Sequence, residues 1–258
     1  MKTAQFFGLA LAAMVGAATI AVGQGTMGGH APRDPGEMLA KLFGKNTAFT
    51  ADATVTLKDP NGKDLPAMDF SYSMLDGKVR TDMDMAKVHG GGMSAQAYMQ
   101  MKSMGMDHIV HILVPEKKTA YMVYPGMKAY WQMDTSKVTA QKEGKEPKIE
   151  KTELGKETVD GHPCVKSKVV ITQDDGKKLE SLQWQATDLK DFPVKSEMTT
   201  DDGMVITTQF KNISQSKPSA SLFEPPSDFK RYDSMQELMM ANMQRMMPPG
   251  LPLPDTNQ

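Results

Sequence analysis

The sequence predicts a mainly β protein, α+β in the strict sense, whose strands pair antiparallel. Two observations carry this prediction. Apolar and polar residues alternate with period two over many short runs, and turn dipeptides such as Asp160-Gly161, Asp175-Gly176 and Asp202-Gly203 separate those runs. Alternation sends one set of side chains to each face of a sheet, and Asp-Gly supplies the positive φ that tight hairpins require. The clearest stretch, Glu150 to Ile213, reads as a meander. Its apolar side is formed by Val165, Val169 and Ile171, then Leu182, Trp184 and Ala186, then Met204, Ile206 and Phe210.

Length and charge narrow the class. A chain of 258 residues is long enough for one large β-domain, and its formal net charge of −1 argues against a nucleic-acid binder, which needs a basic face. The 24 methionines are an excess that calls for a physical account. At the N-terminus, Lys2 precedes an apolar run from Phe6 to Val22, and Ala21-Val22-Gly23 offers small residues at a cleavage position. That pattern predicts a secretory signal peptide over residues 1–23 and a periplasmic or extracellular mature protein. The run is short for a membrane span and is interrupted by Gly8 and Gly16. With no Cys near the site, no lipid anchor is expected. Cys164 is the single cysteine, so no intramolecular disulfide forms, and its place after Pro163 at the start of a strand suggests a small buried hydrophobe.

Residues 24–35 are Gly-rich and polar, a flexible leader. Met38, Leu39, Leu42 and Phe43 share one face of a short helix, Glu37 to Phe43, which Gly44 ends. Three strands follow, with apolar sides Phe49 to Leu57, Met68 to Met74, and Val79 to Met85, joined through Asn61-Gly62 and Asp76-Gly77. From Ala86 to Met106 the alternation stops. Gly90 to Gly92 and the spacing of Met93, Ala97, Met101 and Met104 predict a helix laid over the sheet or covering its mouth. Ile109 to Val114 is apolar on both faces and so central; Thr119 to Tyr124 and Lys128 to Asp134 follow, broken by Pro125-Gly126. Ser136 to Lys148 is charged and mixed in sign, a solvated loop or surface helix. Lys217 to Phe229 is Pro-rich extended chain. A last helix, Asp233 to Met247, aligns Met235, Leu238, Met239, Met243 and Met246 before a disordered tail. The folded domain is therefore expected over residues 36–232, and the Met-rich helix and tail over 233–258.

Several short motifs resemble a family of exported bacterial proteins of unknown function. They are Met104-Gly105-Met106-Asp107; Tyr124-Pro125-Gly126 with Tyr130; Val159-Asp160-Gly161-His162-Pro163-Cys164; Trp184-Gln185-Ala186-Thr187-Asp188-Leu189 with Phe192-Pro193; and Leu222-Phe223-Glu224-Pro225-Pro226. That family is similar to the LolA/LolB lipoprotein carriers in expected architecture. The resemblance covers roughly Phe49 to Tyr232 and implies a strongly curved antiparallel sheet, an unclosed barrel whose concave apolar face is covered by a few short helices. In the carriers that concavity receives acyl chains. The motifs are turn and packing signatures, so no ligand contact carries over residue by residue.

No catalytic set emerges. His108 and His111 are three apart in a predicted strand, which sends them to opposite faces. His162 beside Asp160 and Cys164 is a weak metal cluster, and the acidic pairs Asp174-Asp175 and Asp201-Asp202 are explained by turn chemistry. Phosphate loops, nucleophile elbows and His-Glu-x-x-His are absent. The methionines leave three readings open. Phe70, Tyr72, Met83, Met85, Met93, Met101, Met104 and Trp131 line an apolar pocket for a lipid or lipoprotein acyl chain, because flexible thioethers adapt to varied shapes. Alternatively Met99, Met101, Met104 and Met106 with His108 hold Cu(I) as soft ligands. Or methionine simply replaces leucine in a protein with a structural or envelope-interaction role. No cofactor and no nucleic-acid partner is expected.

Overall fold

The structure is a computed structural model, and it describes residues 43–90, 93–136, 148–172, 178–200 and 202–246. The signal peptide, the leader, the first helix up to Leu42, Gly91-Gly92, the charged stretch 137–147, the Asp175-Gly176 turn and the tail lie outside the described residues.

Apart from the short β12, the strands fall where the alternation predicts. They are β1 (Ala48–Lys58), β2 (Asp64–Leu75), β3 (Lys78–His89), β4 (His108–Val114), β5 (Thr119–Tyr124) and β6 (Ala129–Asp134). After these come β7 (Lys148–Val159), β8 (His162–Thr172), β9 (Lys178–Ala186), β10 (Phe192–Thr199), β11 (Val205–Ser214) and β12 (Lys230–Tyr232). All twelve join one curved, unclosed sheet in the order β12-β6-β5-β4-β3-β2-β1-β11-β10-β9-β8-β7, a half-barrel. Every pairing is antiparallel except β12 with β6, which is parallel. Two helices are described, α1 (Ala95–Ser103) and α2 (Met235–Met246).

Local chemistry explains the hairpins. At Asp76-Gly77 and Asp160-Gly161 both residues have positive φ, and the flanking residues pair directly as Leu75 with Lys78 and Val159 with His162. These are two-residue loops whose twist matches the strands they join. Three other connections share a different device: a single short 3₁₀ turn ending in a left-handed lysine, at Lys118, Lys128 and Lys190.

Register determines which side each residue faces. On the inner face, Phe49, Ala51, Ala53 and Val55 of β1 sit opposite Met74, Tyr72, Phe70 and Met68 of β2. Phe43 closes over them. Its ring centroid lies 4.9 Å from Phe49, 5.8 Å from Tyr72, 5.5 Å from Phe192 and 5.9 Å from Phe210. On the outer face a second cluster forms where the chain after β11 crosses back. Phe223 is buried there against Leu75, Val110, Ile112, Val114 and Val123. β4 is therefore buried from both sides, as its unbroken apolar run predicts.

Three expectations change. The apolar trios of β8 and β9 do not share a face: Val165 pairs with Gln185 and Val169 with Ser181, whereas Leu182, Trp184 and Ala186 pair with Lys168, Lys166 and Cys164. Both strands alternate correctly, but they alternate out of phase. The segment read as breaking at Ala86 continues as strand to His89, because a register shift after Met68 lets Met68 and Ala67 pair with Val88 and His89. The third change concerns α1. Ser94 caps it by accepting from Ala97 N at 3.1 Å, yet none of its residues is buried, so it flanks the sheet and does not cover it.

Candidate functional site

The inner face is the natural place to look for a site, and its cross-strand rows can be traced through the register. One row runs Ala51, Tyr72, Thr81, His111, Met122, Trp131, Tyr232, crossing β1, β2, β3, β4, β5, β6 and β12 in turn. The next row is apolar: Ala53, Phe70, Met83, Ile109. Beyond it a third row passes through Val55, Thr208, Ser196, Gln183 and Ser167. Regular inner positions of β1 to β6 carry no Asp, Glu, Lys or Arg. The outer positions of β1 to β3 present Asp52, Asp69, Arg80, Asp82 and Asp84 instead.

Burial shapes the chemistry of this face. Enclosure pushes the Tyr72 phenol far above its usual range, so the hydroxyl stays protonated. The same cause lowers His111 to about 4, leaving a neutral imidazole. Tyr124 is also raised by burial, and the Trp131 indole lies near enough to temper that rise. Trp131 Nε1 nonetheless completes no hydrogen bond of normal geometry among the described residues, and Tyr124 Oη donates to Met235 Sδ at 3.4 Å.

Of the pocket residues named from the sequence, Phe70, Tyr72, Met83 and Trp131 share the inner face. Phe70 and Tyr72 are both buried in the inner core, and the Tyr72 ring packs against Phe43. Met85 stands at the end of the regular pairing, where its N–H donates to Asp107 O at 2.8 Å. Met93 is half-buried ahead of α1, and Met101 and Met104 are half-buried along it. Met104 reaches the second helix, since its carbonyl accepts from Asn242 Nδ2 at 2.9 Å. The described cover of the inner face over β5 and β6 is thus α2, which places Leu238, Met235 and Met239 against Tyr124, Met127, Ala129 and Trp131. Its packed side is Met235, Leu238, Met239 and Asn242; Met243, expected on that side, is 51% exposed.

The Cu(I) candidates are spread out. Met99 is 63% exposed, Met106 packs among Tyr124 and Leu238, and His108 turns to the outer face with its Nε2 3.6 Å from Asp82. His108 and His111 do take opposite faces, as a strand requires. His162 pairs through Nδ1 with Asp188 Oδ2 at 2.8 Å. Cys164 is buried, donates to the His162 carbonyl at 3.3 Å, and has its thiol pKa raised mainly by desolvation. No three His, Cys, Asp or Glu side chains among the described residues gather as a metal site.

The model of a family described as "Domain of unknown function (DUF4412)" matches residues 54–192, more than half of the chain. The chain belongs to the DUF4412 family. A comparison with curated proteins gives no match. Among solved structures, the chain is similar to LprF from Mycobacterium bovis, at 13% identity and a TM-score of 0.36 over 71% of this chain and 91% of that one. The Mycobacterium tuberculosis lipoprotein LppX gives 9% and 0.36 over 66% and 88%, and a LolA superfamily protein from Nitrosomonas europaea gives 8% and 0.30 over 71% and 93%. Likenesses this loose carry no functional argument.

Within this DUF4412 chain, the motifs singled out by sequence meet one another. His162 and Pro163 of one motif contact Asp188 and Thr187 of another, the Thr187 hydroxyl donating to Pro163 O at 3.1 Å. The Leu222 carbonyl accepts from Arg80 Nη1 at 3.1 Å while the neighbouring Phe223 fills the outer cluster. They hold the half-barrel together. Sequence reasoning missed Thr81 as a residue of interest and weighed His111 only as a metal ligand; the one available signal was a histidine set in an otherwise apolar strand.

Proposed function

We propose that the protein is an exported, non-catalytic binding protein that holds a lipid or another apolar ligand against the inner face of its half-barrel. The observation that supports this reading is the chemistry of that face: an open sheet whose regular inner positions from β1 to β6 are free of charged side chains, partly covered by a methionine-rich helix. The chain itself already buries much of this face, with Tyr72 1% and Phe70 4% exposed, so a ligand enters by displacing part of that cover. Met83, Met85, Met93, Met101 and Met104 along the rim, with Phe70, Tyr72 and Trp131 as stiffer walls, then form an adaptable lining. The site offers hydroxyls, one neutral imidazole and thioethers, with no activated nucleophile. Export rests on the signal-peptide pattern of residues 1–23. No helix among the described residues is long and apolar enough to cross a membrane.

A second reading has its own observation. Phe43 already fills the centre of the inner face, which suits a self-filled scaffold with an envelope-interaction role and no ligand. Mass spectrometry of organic extracts from gently purified protein separates the two. Reproducible, stoichiometric lipid supports the binding reading, and protein that is empty in every preparation rejects it.

A further inference from the structure

The contact between α2 and the sheet is rich in sulfur. Around Tyr124 and Leu238 gather five methionines, Met106, Met122, Met127, Met235 and Met239, whereas the cluster around Phe223, of similar extent, holds none. Packing alone does not ask for this. Leucine matches methionine closely in volume, and Leu238, buried in the same contact, shows that leucine fits there. What a thioether adds is a sulfur lone pair that an oxidant can attack. Met235 and Met239 lie four apart on the packed side of α2, and both are half-buried, so this part of the contact stays within reach of a small solute. Met127, 5% exposed, is shielded, while Met99, Met240 and Met243 are open to solvent and lie outside the cluster.

We propose that Met235 and Met239 are sites of reversible oxidation by peroxide, and that their oxidation releases α2 from β5 and β6. The sulfur lone pair attacks one oxygen of hydrogen peroxide. The S–O bond forms as the O–O bond breaks, the sulfur gives up two electrons, and the departing oxygen takes a proton from the transferred hydroxyl and leaves as water. The product is a sulfoxide, polar and chiral where a flexible apolar group stood. The contact can answer only part of that change. Tyr124 Oη, which donates to Met235 Sδ at 3.4 Å, can donate to one sulfoxide oxygen. A hydroxyl has a single proton, so the second sulfoxide enters the apolar contact with Met127, Ala129 and Leu238 without that donor. Its added bulk and its desolvated dipole both oppose packing. Because α2 is held along one side, it can turn both sulfoxides to water without disturbing the strands. Reduction restores the thioethers and with them the contact. The device does not depend on the inner face holding a ligand.

The test treats the purified protein with hydrogen peroxide. Peptide mapping reads which methionines become sulfoxides, and amide exchange reads the response of residues 235–246. Wild type is compared with Met235→Leu/Met239→Leu, a swap that keeps volume, and with Met99→Leu/Met240→Leu/Met243→Leu, which removes the exposed sulfurs. In wild type and the triple variant, Met235 and Met239 should oxidise and exchange over α2 should speed about tenfold or more, the scale of one lost apolar contact. Strands β1 to β5 should stay protected, and methionine sulfoxide reductases should restore slow exchange. The double variant should keep its slow exchange although Met99, Met240 and Met243 oxidise. The proposal is overturned if Met235 and Met239 stay reduced while the exposed three are oxidised, or if they oxidise and α2 exchange does not change. It is equally overturned if the double variant loosens as much as wild type, if reduction restores nothing, or if exchange rises evenly across helix and strands.

Discussion

Gly105 and Gly126 touch backbone to backbone. A Cβ on Gly105 would lie 2.7 Å from the Gly126 carbonyl carbon, and one on Gly126 would lie 2.7 Å from Gly105 Cα. Gly105 follows α1 with a φ of +71°, and Gly126 lies in the short turn between β5 and β6. The contact locks the loop leaving α1 onto the floor beneath α2. It also explains why Met-Gly-Met-Asp and Tyr-Pro-Gly belong together.

Either glycine is therefore expected to resist alanine. Gly105→Ala meets both the clash and the left-handed backbone, and Gly126→Ala meets the clash alone, so losses of about 1–3 kcal/mol are expected, larger at Gly105. The double variant should cost less than the two losses added, because the first clash already parts the two segments. Urea denaturation reads all three. Additive losses, or a Gly126→Ala variant as stable as wild type, would show that this contact is unimportant.

How much of this was legible beforehand depends on the kind of information required. Strand positions and tight turns were, since Asp76-Gly77 and Asp160-Gly161 impose local geometry that needs no tertiary context. The phase between strands was not. Val169 and Trp184 each sit correctly within their own alternation, and only the register of β8 against β9 decides that they face opposite sides. The left-handed lysines at 118, 128 and 190 were equally silent, because lysine is not a residue type that favours that region. β12 could not be foreseen from three residues, Lys230 to Tyr232, whose strand character comes from pairing with β6. At the candidate site, the placement of Phe70, Tyr72 and Trp131 on one face was readable from alternation. The polar row was not, since Tyr72, Thr81 and His111 come together only through pairing of three strands.

His111 sets a pH dependence of stability. Its pKa is about 4 in the fold against an ordinary 6.5, and its inner-face neighbours Thr81, Met122, Ile109 and Leu113 do not titrate. As pH falls below 6.5 the unfolded chain takes a proton that the folded chain refuses until about pH 4. Stability from this group is thus complete above that window, falls through it and levels out below, by roughly 3 kcal/mol at most. Comparing urea midpoints at pH 7.5 and 4.5 for wild type and His111→Phe checks this. The variant should show a visibly smaller drop, and identical drops would mean that the ring is solvated.

Phe43 is expected to dominate the centre of the inner face. Phe43→Ala removes a ring packed against four others and should cost about 3–5 kcal/mol. If the inner face is a binding surface, the space left behind should also strengthen Nile red binding, as apolar cavities accept apolar guests. Weakened folding with unchanged dye binding would support the self-filled scaffold.

α2 is held to the half-barrel along one side only. Its start is well capped: Ser234 Oγ accepts from Glu237 N at 3.1 Å, and Glu237 Oε2 accepts from Asp233 N at 2.9 Å. Its attachment is narrower, with Leu238 as its deepest apolar anchor and Asn242 bonded to Met104 O, while Met240 and Met243 face outward. Leu238→Ala should therefore free the helix without unfolding the sheet. Amide exchange over residues 235–246 should speed by the equivalent of about 2–3 kcal/mol, with β1 to β5 protected as before. Nile red should load faster in the same variant, because α2 covers the inner face over β5 and β6. If exchange rises evenly across helix and strands, α2 belongs to the global folding unit and is no lid; if it rises in α2 alone but loading stays slow, the ligand enters elsewhere along the half-barrel.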